Sequence, residues 1–456
     1  MKTRSLLHGA ILLAALAAPS VVSAVEIADD GTGGALIVPY YTVDRGNTTI
    51  LTVTNQADRP VGAKFHVREA QNGRTVLSFQ IYLAAKDRWT AAILALDATG
   101  PAVLLTSDTS CTVPSIRTNV GLPTLGPGGP RYVAFGNQGY TGDFADGADS
   151  SLARTRQGSI EIIEMATLTG PSAAATAAAT RDCNRLVQAW TPGGYWTTNP
   201  GTDLAAPAGG LAATAEIVDV AKGADVVVPV TALDGFRESG AAVFHEGPSV
   251  DRPNLGDASE GMDAVSAALL RGGVANEFSV EPALGAQTEW IVAFPTKRYH
   301  TDGAIVGQAA RLPFRVVTGG SPAQFAAACI GVRFQTFGSD GQECTGTQCE
   351  TAPLCGTVAQ VRFVPRVGVP QGILFPDKFV TVRSEDFGAR EGWAELRFQR
   401  LDNRQPFEWS YQGVNRMGLP AIGFSTATFV NANALPGLLA VYARTTPHRD
   451  VGVGTR

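Results

Sequence analysis

The sequence predicts a mainly β fold: immunoglobulin-like β-sandwich units with one or two short docked helices, stabilised by disulfides. Three observations carry this. Apolar and polar residues alternate in short runs separated by turn signals, the pattern of half-buried strands. The 456-residue chain has 51 Gly and 27 Pro but only 17% charged residues, a balance suited to turn-rich sheets. Its six cysteines form an even set, all in the region beyond residue 24.

The first element is a targeting segment. Lys2 and Arg4 precede an apolar run over residues 10–18, Pro19 breaks it, and Val22-Ser23-Ala24 offers small residues to a signal peptidase. Charge, apolar core and small-residue site make a secretory signal over 1–24, with Val25 as the expected mature N-terminus. The apolar core is shorter than the roughly 20 residues a membrane helix needs. No transmembrane segment is expected after signal cleavage.

Strands follow in order. Residues 35–43 form one, with Pro39 at an edge or bulge, and Arg45-Gly46-Asn47 turns the chain into the alternating run 50–55. In Lys64-Phe-His-Val-Arg68 the alternation places Phe65 and Val67 inside and Lys64, His66 and Arg68 outside. Asn72-Gly73 signals a hairpin, after which Leu77, Phe79, Ile81 and Leu83 share a face. The expectation is one sheet from Ala35 to about Leu94. Residues 158–164 read as a strand, and the Ala-rich run from Pro171 through Cys183, Leu186, Val187 and Trp190 as a helix docked by its C-terminal half. Residues 213–220 and 225–230 are expected strands, and 263–270 a second helix stopped by Gly272-Gly273.

The last third returns to β, with strands expected at 289–294, 312–317, 330–337, 358–364, 379–383, 393–399, 422–430 and 438–444. In the 393–399 run, Ala394, Leu396 and Phe398 take the inner face. No fixed-period repeat appears, which disfavours a solenoid or propeller. The division expected is an N-terminal unit with the Ala-rich helix over 25–220 and a C-terminal unit over 221–456, the two interlocked.

Cys111, Cys183, Cys329, Cys344, Cys349 and Cys355 in an exported chain read as disulfides, with fifteen possible pairings. Zinc would be the competing use of the four later cysteines. They lack C-x-x-C spacing and a nearby His.

Four stretches in this order, Ile37-Val-Pro-Tyr-Tyr-Thr42, Gly158-Ser-Ile-Glu-Ile-Ile-Glu164, Trp290-Ile-Val-Ala-Phe-Pro-Thr-Lys297 and Gly418-Leu-Pro-Ala-Ile-Gly-Phe424, resemble a family of exported proteobacterial proteins that has no established activity. The resemblance implies the pairs Cys111–Cys183 and Cys329–Cys355, leaving Cys344–Cys349 as a local bridge. It departs from the family at Gly338-Ser-Asp-Gly-Gln-Glu343, where an acidic, Arg-containing stretch would stand.

The chain is mildly acidic, net −5, which argues against a nucleic-acid partner. Hydrolytic chemistry finds little support. Gly423-Phe-Ser425 resembles a nucleophile elbow but lacks its second Gly and its helix. Of the histidines beyond residue 24, His66 points out of a strand, His448 lies in the tail, and His245-Glu246 meets Gly247-Pro248 instead of continuing a zinc-protease helix. His300, with Lys297, Arg298 and Asp302, sits at the end of an apolar strand and forms the one candidate functional loop. A solvated polar turn is the plainer account of it.

Glu161 and Glu164 have an odd spacing and so point to opposite faces. Asp143, Asp146 and Asp149 fall in a Gly-rich loop that could hold calcium, although the EF-hand ligand order is missing. No other cofactor is expected. Tyr40, Tyr41, Tyr195, Trp196 and Trp409 are candidates for stacking on sugars, with core packing as the alternative. These readings point to an exported, non-enzymatic β protein of the periplasm or cell surface, engaged in binding, adhesion or assembly with a surface protein or glycan. An exported hydrolase acting on glycans is the alternative.

Overall fold

The computed structural model describes residues 25–237, 243–306, 311–314, 329–341, 343, 353–364, 372–374, 380–383, 389–401, 403–435 and 438–452. Residues 1–24, read above as a signal, Cys344 and Cys349 lie outside these residues, as does half of the strand expected at 312–317.

The N-terminal half is a pair of sheets. The larger runs in the order Glu26–Ile27, Thr231–Asp234, Ala35–Thr42, Gln157–Leu168, Val61–Glu69, Thr75–Leu83, Cys111–Val113, with Leu204–Ala205 beside Gln157–Leu168. The other is Ala224–Val228, Leu211–Asp219, Asn47–Asn55, Arg88–Ala95, Ala102–Leu105, Tyr132–Ala134. Both are larger than the four-against-three arrangement of an immunoglobulin domain. The stretch from Ala35 to Leu94 is therefore divided between two sheets instead of forming one. Positive φ at Arg45 (59°) and Gly46 (83°) turns the chain out of the first sheet, and the next strand starts in the second. Phe65, Val67, Phe79 and Ile81 are buried between the sheets, where Phe65 packs against Phe79 and Trp89 at centroid distances of 4.8 and 5.6 Å.

The hairpin at Asn72-Gly73 forms with Gly73 at φ 70°, a conformation glycine adopts without steric cost. The pairing of Ala224–Val228 with Leu211–Asp219, and of Thr231–Asp234 with Ala35–Thr42, carries these sheets on to Asp234. The boundary expected at 220 falls within that hairpin.

The Ala-rich segment is two seven-residue helices, Gly170–Thr176 and Cys183–Ala189, with Asp182 capping the second through Arg185 N at 3.2 Å. Leu186 and Ala189 are buried, and the Cys111–Cys183 bridge ties the second helix to the edge strand Cys111–Val113. A second bridge joins Cys329 and Cys355. These two bonds suit an oxidising compartment. No described helix is long and apolar enough to cross a membrane.

The C-terminal half has two larger sheets beside two two-stranded ones among the described residues. One is ordered Val380–Arg383, Val358–Val364, Gln287–Ala293, Ile422–Leu435, Leu438–Pro447, and the other Gly331–Gly338, Glu391–Gln399, Gly273–Ser279, Arg449–Asp450. Ala394, Leu396 and Phe398 join Phe278, Trp290, Phe334 and Phe363 in the core between them. The Gln287–Ala293 strand is buried along its whole length. Trp290 and Val292 face this second core, while Ile291 and Ala293 face the N-terminal core. Burial on both faces accounts for the unbroken apolar run in the sequence. The Met262–Ala268 helix forms where the sequence places one.

Candidate functional site

The polar side of the Val61–Glu69 strand is the first departure from sequence logic. Lys64 and His66 are 0% exposed and Arg68 1%, although alternation places all three in water. The reason is a second layer of chain. Lys64 Nζ donates to Pro248 O at 2.8 Å, His66 Nε2 lies 2.9 Å from Pro253 O, and Arg68 Nη1 meets Asp251 Oδ1 at 2.7 Å. A polar strand face had found polar partners within the same chain.

The candidate loop completes this layer. Lys297–Thr301 is a short helix at the end of the Gln287–Ala293 strand, and Lys297, Tyr299 and His300 are buried. The stretch is thus not a solvated turn. Arg298 Nη2 pairs with Asp251 Oδ2 at 2.8 Å, and Asp302 pairs with Arg74 at 2.9 Å. Tyr299 OH donates to Glu161 Oε2 at 3.1 Å, and Glu161 in turn holds Arg68 at 2.9 Å. Lys297 Nζ donates to Gly356 O at 2.7 Å, and burial lowers its ammonium pKa to about 7. His300 Nε2 bonds Ser266 Oγ at 2.8 Å, and burial lowers the ring to about 4. Burial would raise the Asp251 carboxyl, but Arg68, Arg298 and His66 beside it hold it well below the usual range. Of the four, Arg298 and Asp302 lie 3.6 Å apart, and Asp302 ties the short helix to the N-terminal half through Arg74.

The acidic loop does not assemble. Asp146 is buried, its carboxylate paired with Arg154 at 2.5 Å and receiving Asn72 Nδ2 at 2.8 Å. Arg154 also grips Glu69 at 2.7 Å. Asp149 accepts from the Ser151 backbone and hydroxyl, and Asp143 is exposed in a separate turn. A calcium site at Asp143, Asp146 and Asp149 fails because the guanidinium already occupies its one buried carboxylate. Among the described residues no three His, Cys, Asp or Glu side chains are grouped to hold a metal.

The remaining histidines are structural in their surroundings. His245 is enclosed by Trp190, Trp196 and Tyr82, with Nε2 2.8 Å from Tyr82 OH. His448, expected in a tail, is buried against Trp290 because the chain end returns as the strand Arg449–Asp450. Its Nδ1 lies 3.1 Å from Asn276 Nδ2 and its Nε2 3.0 Å from Ile291 O. Glu164 accepts two backbone N–H bonds from Ala208 and Gly209, far from the Arg68 partner of Glu161. Tyr40, Tyr41, Trp196 and Trp409 are buried, which removes them as stacking surfaces.

A concave feature lies elsewhere, between the two larger C-terminal sheets, with a volume of about 310 Å³. One wall is the edge strand from Asn276 to Ser279, which loses its two-residue neighbour Arg449–Asp450 after Ala275. Side chains close that edge. Glu277 N donates to Asn276 Oδ1 at 3.0 Å, Ser425 Oγ to Glu277 O at 3.4 Å, and Ser279 N to Thr288 Oγ1 at 2.9 Å. The opposite wall is the hairpin of Ile422–Leu435 and Leu438–Pro447, contributing Ser425, Ala427, Phe429, Arg444 and Thr446. Glu391 also lines the cleft, and Arg444 pairs with Glu277 at 3.6 Å. Ser425 Oγ bonds a carbonyl, and the nearby His448 ring is held by Asn276 and Ile291. Among the described residues no nucleophile–base pair is built here.

No signal in the sequence marked Glu277, Glu391 or Arg444, because the cleft exists only where distant strands meet. No family model, curated protein or solved structure matches the chain.

Proposed function

We propose that the chain is an exported, non-enzymatic binding protein of the periplasm or cell surface, with the C-terminal cleft as its ligand site. The observation that supports this best is the cleft itself: a cavity of about 310 Å³ with hydroxyl, amide, carboxylate and guanidinium groups on its walls. Ligand sites start at ~300 Å³ and carry a few convergent polar groups. The two disulfides favour an oxidising location.

A glycan hydrolase is the second reading, favoured by two carboxylates, Glu277 and Glu391, lining one cleft. Against it, Glu277 is engaged by Arg444. The test is co-sedimentation of the purified protein with isolated cell-envelope material, comparing wild type with Ala427→Trp, which fills the cleft from its floor. Saturable binding lost in the variant is expected. Binding unaffected by Ala427→Trp overturns the cleft as the site, and release of new reducing ends dependent on Glu391 overturns the non-enzymatic reading.

A further inference from the structure

Across the cleft hairpin, Ser425 pairs with Thr446, Ala427 with Arg444, and Phe429 with Tyr442. Directly opposed residues share a sheet face, as do residues two apart on one strand. Tyr442 therefore continues the same face as Arg444 and Thr446, directly opposite Phe429 and one step along the hairpin from the residues that line the cleft. It is 61% exposed, the largest exposure of any aromatic ring among the exposed large hydrophobic residues. The cleft thus has hydroxyls from Ser425 and Thr446 on its hairpin wall, charged groups on both walls, and the exposed Tyr442 ring next along the same hairpin face.

These are the parts needed to hold a sugar ring. The axial C–H groups of a pyranose are weakly electropositive and meet the negative face of an aromatic ring. Sugar hydroxyls both donate and accept, so carboxylates on one wall and a guanidinium on the other complement them through charge-assisted bonds. Glu277 and Glu391 outnumber Arg444, and among the described residues Glu391 has no ion pair. That leaves the cleft with an excess of negative charge, which disfavours an acidic sugar.

We propose that the cleft takes a hexopyranose unit of an oligosaccharide, neutral or ammonium-bearing, stacked on Tyr442 and bonded by Glu391 and Arg444. This rests on the reading of the cleft as the ligand site.

Calorimetric titration of the mature chain with three trisaccharides tests it: β-1,4-linked glucose, β-1,4-linked glucosamine and α-1,4-linked galacturonic acid. The neutral and amino trimers should bind saturably, and the acidic trimer should bind at least about tenfold more weakly. Tyr442→Ala should weaken the neutral trimer about tenfold, a loss in the range of an aromatic contact, with an unchanged melting temperature, and Tyr442→Phe should retain binding. Equal affinity for the acidic trimer, or full affinity in Tyr442→Ala, overturns the proposal. So does a lack of saturable binding by both non-acidic trimers. If that happens while wild type, and not Ala427→Trp, still sediments with envelope material, the sugar assignment falls and the binding reading stands. If the trimers bind but are shortened during titration, the sugar assignment stands and the non-enzymatic reading falls.

Discussion

Tyr299 and Glu161, 138 residues apart in sequence, meet between the two halves of the molecule with the phenol donating to Oε2 at 3.1 Å. Arg68 Nη2 reaches both, at 3.3 Å to the phenol oxygen and 2.9 Å to the carboxylate. Removing the hydroxyl leaves buried polar groups one partner short. Tyr299→Phe is expected to cost about 1–3 kcal/mol in urea unfolding. A loss within about 0.5 kcal/mol would match an ordinary surface substitution and contradict the closed network.

Arg154 is the sole ion-pair partner of both Glu69 and Asp146 among the described residues, and all three side chains are fully buried. Arg154→Met keeps much of the volume but strands two carboxylates, at an expected cost of about 3–5 kcal/mol. The triple variant with Glu69→Gln and Asp146→Asn should recover part of that loss in the same unfolding measurement. No recovery would mean that the arginine acts by packing, for example over the Tyr140 ring 4.2 Å away.

Phe65→Ala, at the junction of Phe79 and Trp89, should cost about 3–5 kcal/mol as buried Phe truncations do. The readout is the urea midpoint, and a change below about 1 kcal/mol would place the ring outside the sandwich core.

The Cys111–Cys183 bridge spans 72 residues and Cys329–Cys355 spans 26. Loop entropy then gives about 4 kcal/mol for the first and about 3.5 for the second. Replacing Cys111 and Cys183 by Ser should lower stability more than the same change at Cys329 and Cys355. The first change should also free the Cys183–Ala189 helix to limited proteolysis. A non-reducing peptide map lacking either bridge would refute this.

Acid should destabilise the fold before its carboxylates protonate. Burial lowers His245 and His300 to about 4 and His448 to about 3, from an ordinary 6.5. Between pH 6.5 and 4 the unfolded chain takes up protons that the folded chain refuses, so stability is full above that window and falls as pH drops through it. Glu164 and Glu289, raised by burial from 4.5, act in the opposite sense above that value. Burial also holds His66 well below its ordinary value and raises Asp263, so four rings oppose three carboxyls and the net slope is expected to follow the histidines. Urea midpoints at pH 7.5, 6 and 5 should decline steadily, and a flat series would contradict burial of these rings.

Strand positions were legible because alternation has a short period. The faces of Phe65 and Val67, or of Ala394, Leu396 and Phe398, follow from a few adjacent residues. What alternation does not encode is whether the polar face meets water or another part of the chain. Lys64, His66 and Arg68 look like a solvated face, and only the arrival of Asp251 and Pro253 from nearly 200 residues away changes that. The division into two sheets was hidden for a similar reason: a turn at Arg45-Gly46 can close a hairpin or send the chain across to the facing sheet. At the candidate site, local sequence singled out Lys297, Arg298, His300 and Asp302, which lie within one short stretch. It could not assemble Glu277, Glu391 and Arg444, whose proximity depends on strand pairing across the last third of the chain.

The strand with Ile291 on one side and Trp290 on the other has a consequence for when this protein can fold. The N-terminal core contains Val25 at one end of the described chain and Ile422 and Phe424 near the other. A polypeptide emerging from the ribosome lacks the pieces needed to seal that core until Ile422 and Phe424 have been made. Contacts of such long sequence separation form slowly. The nascent chain would therefore leave that core open through most of its synthesis and consolidate it in a late step.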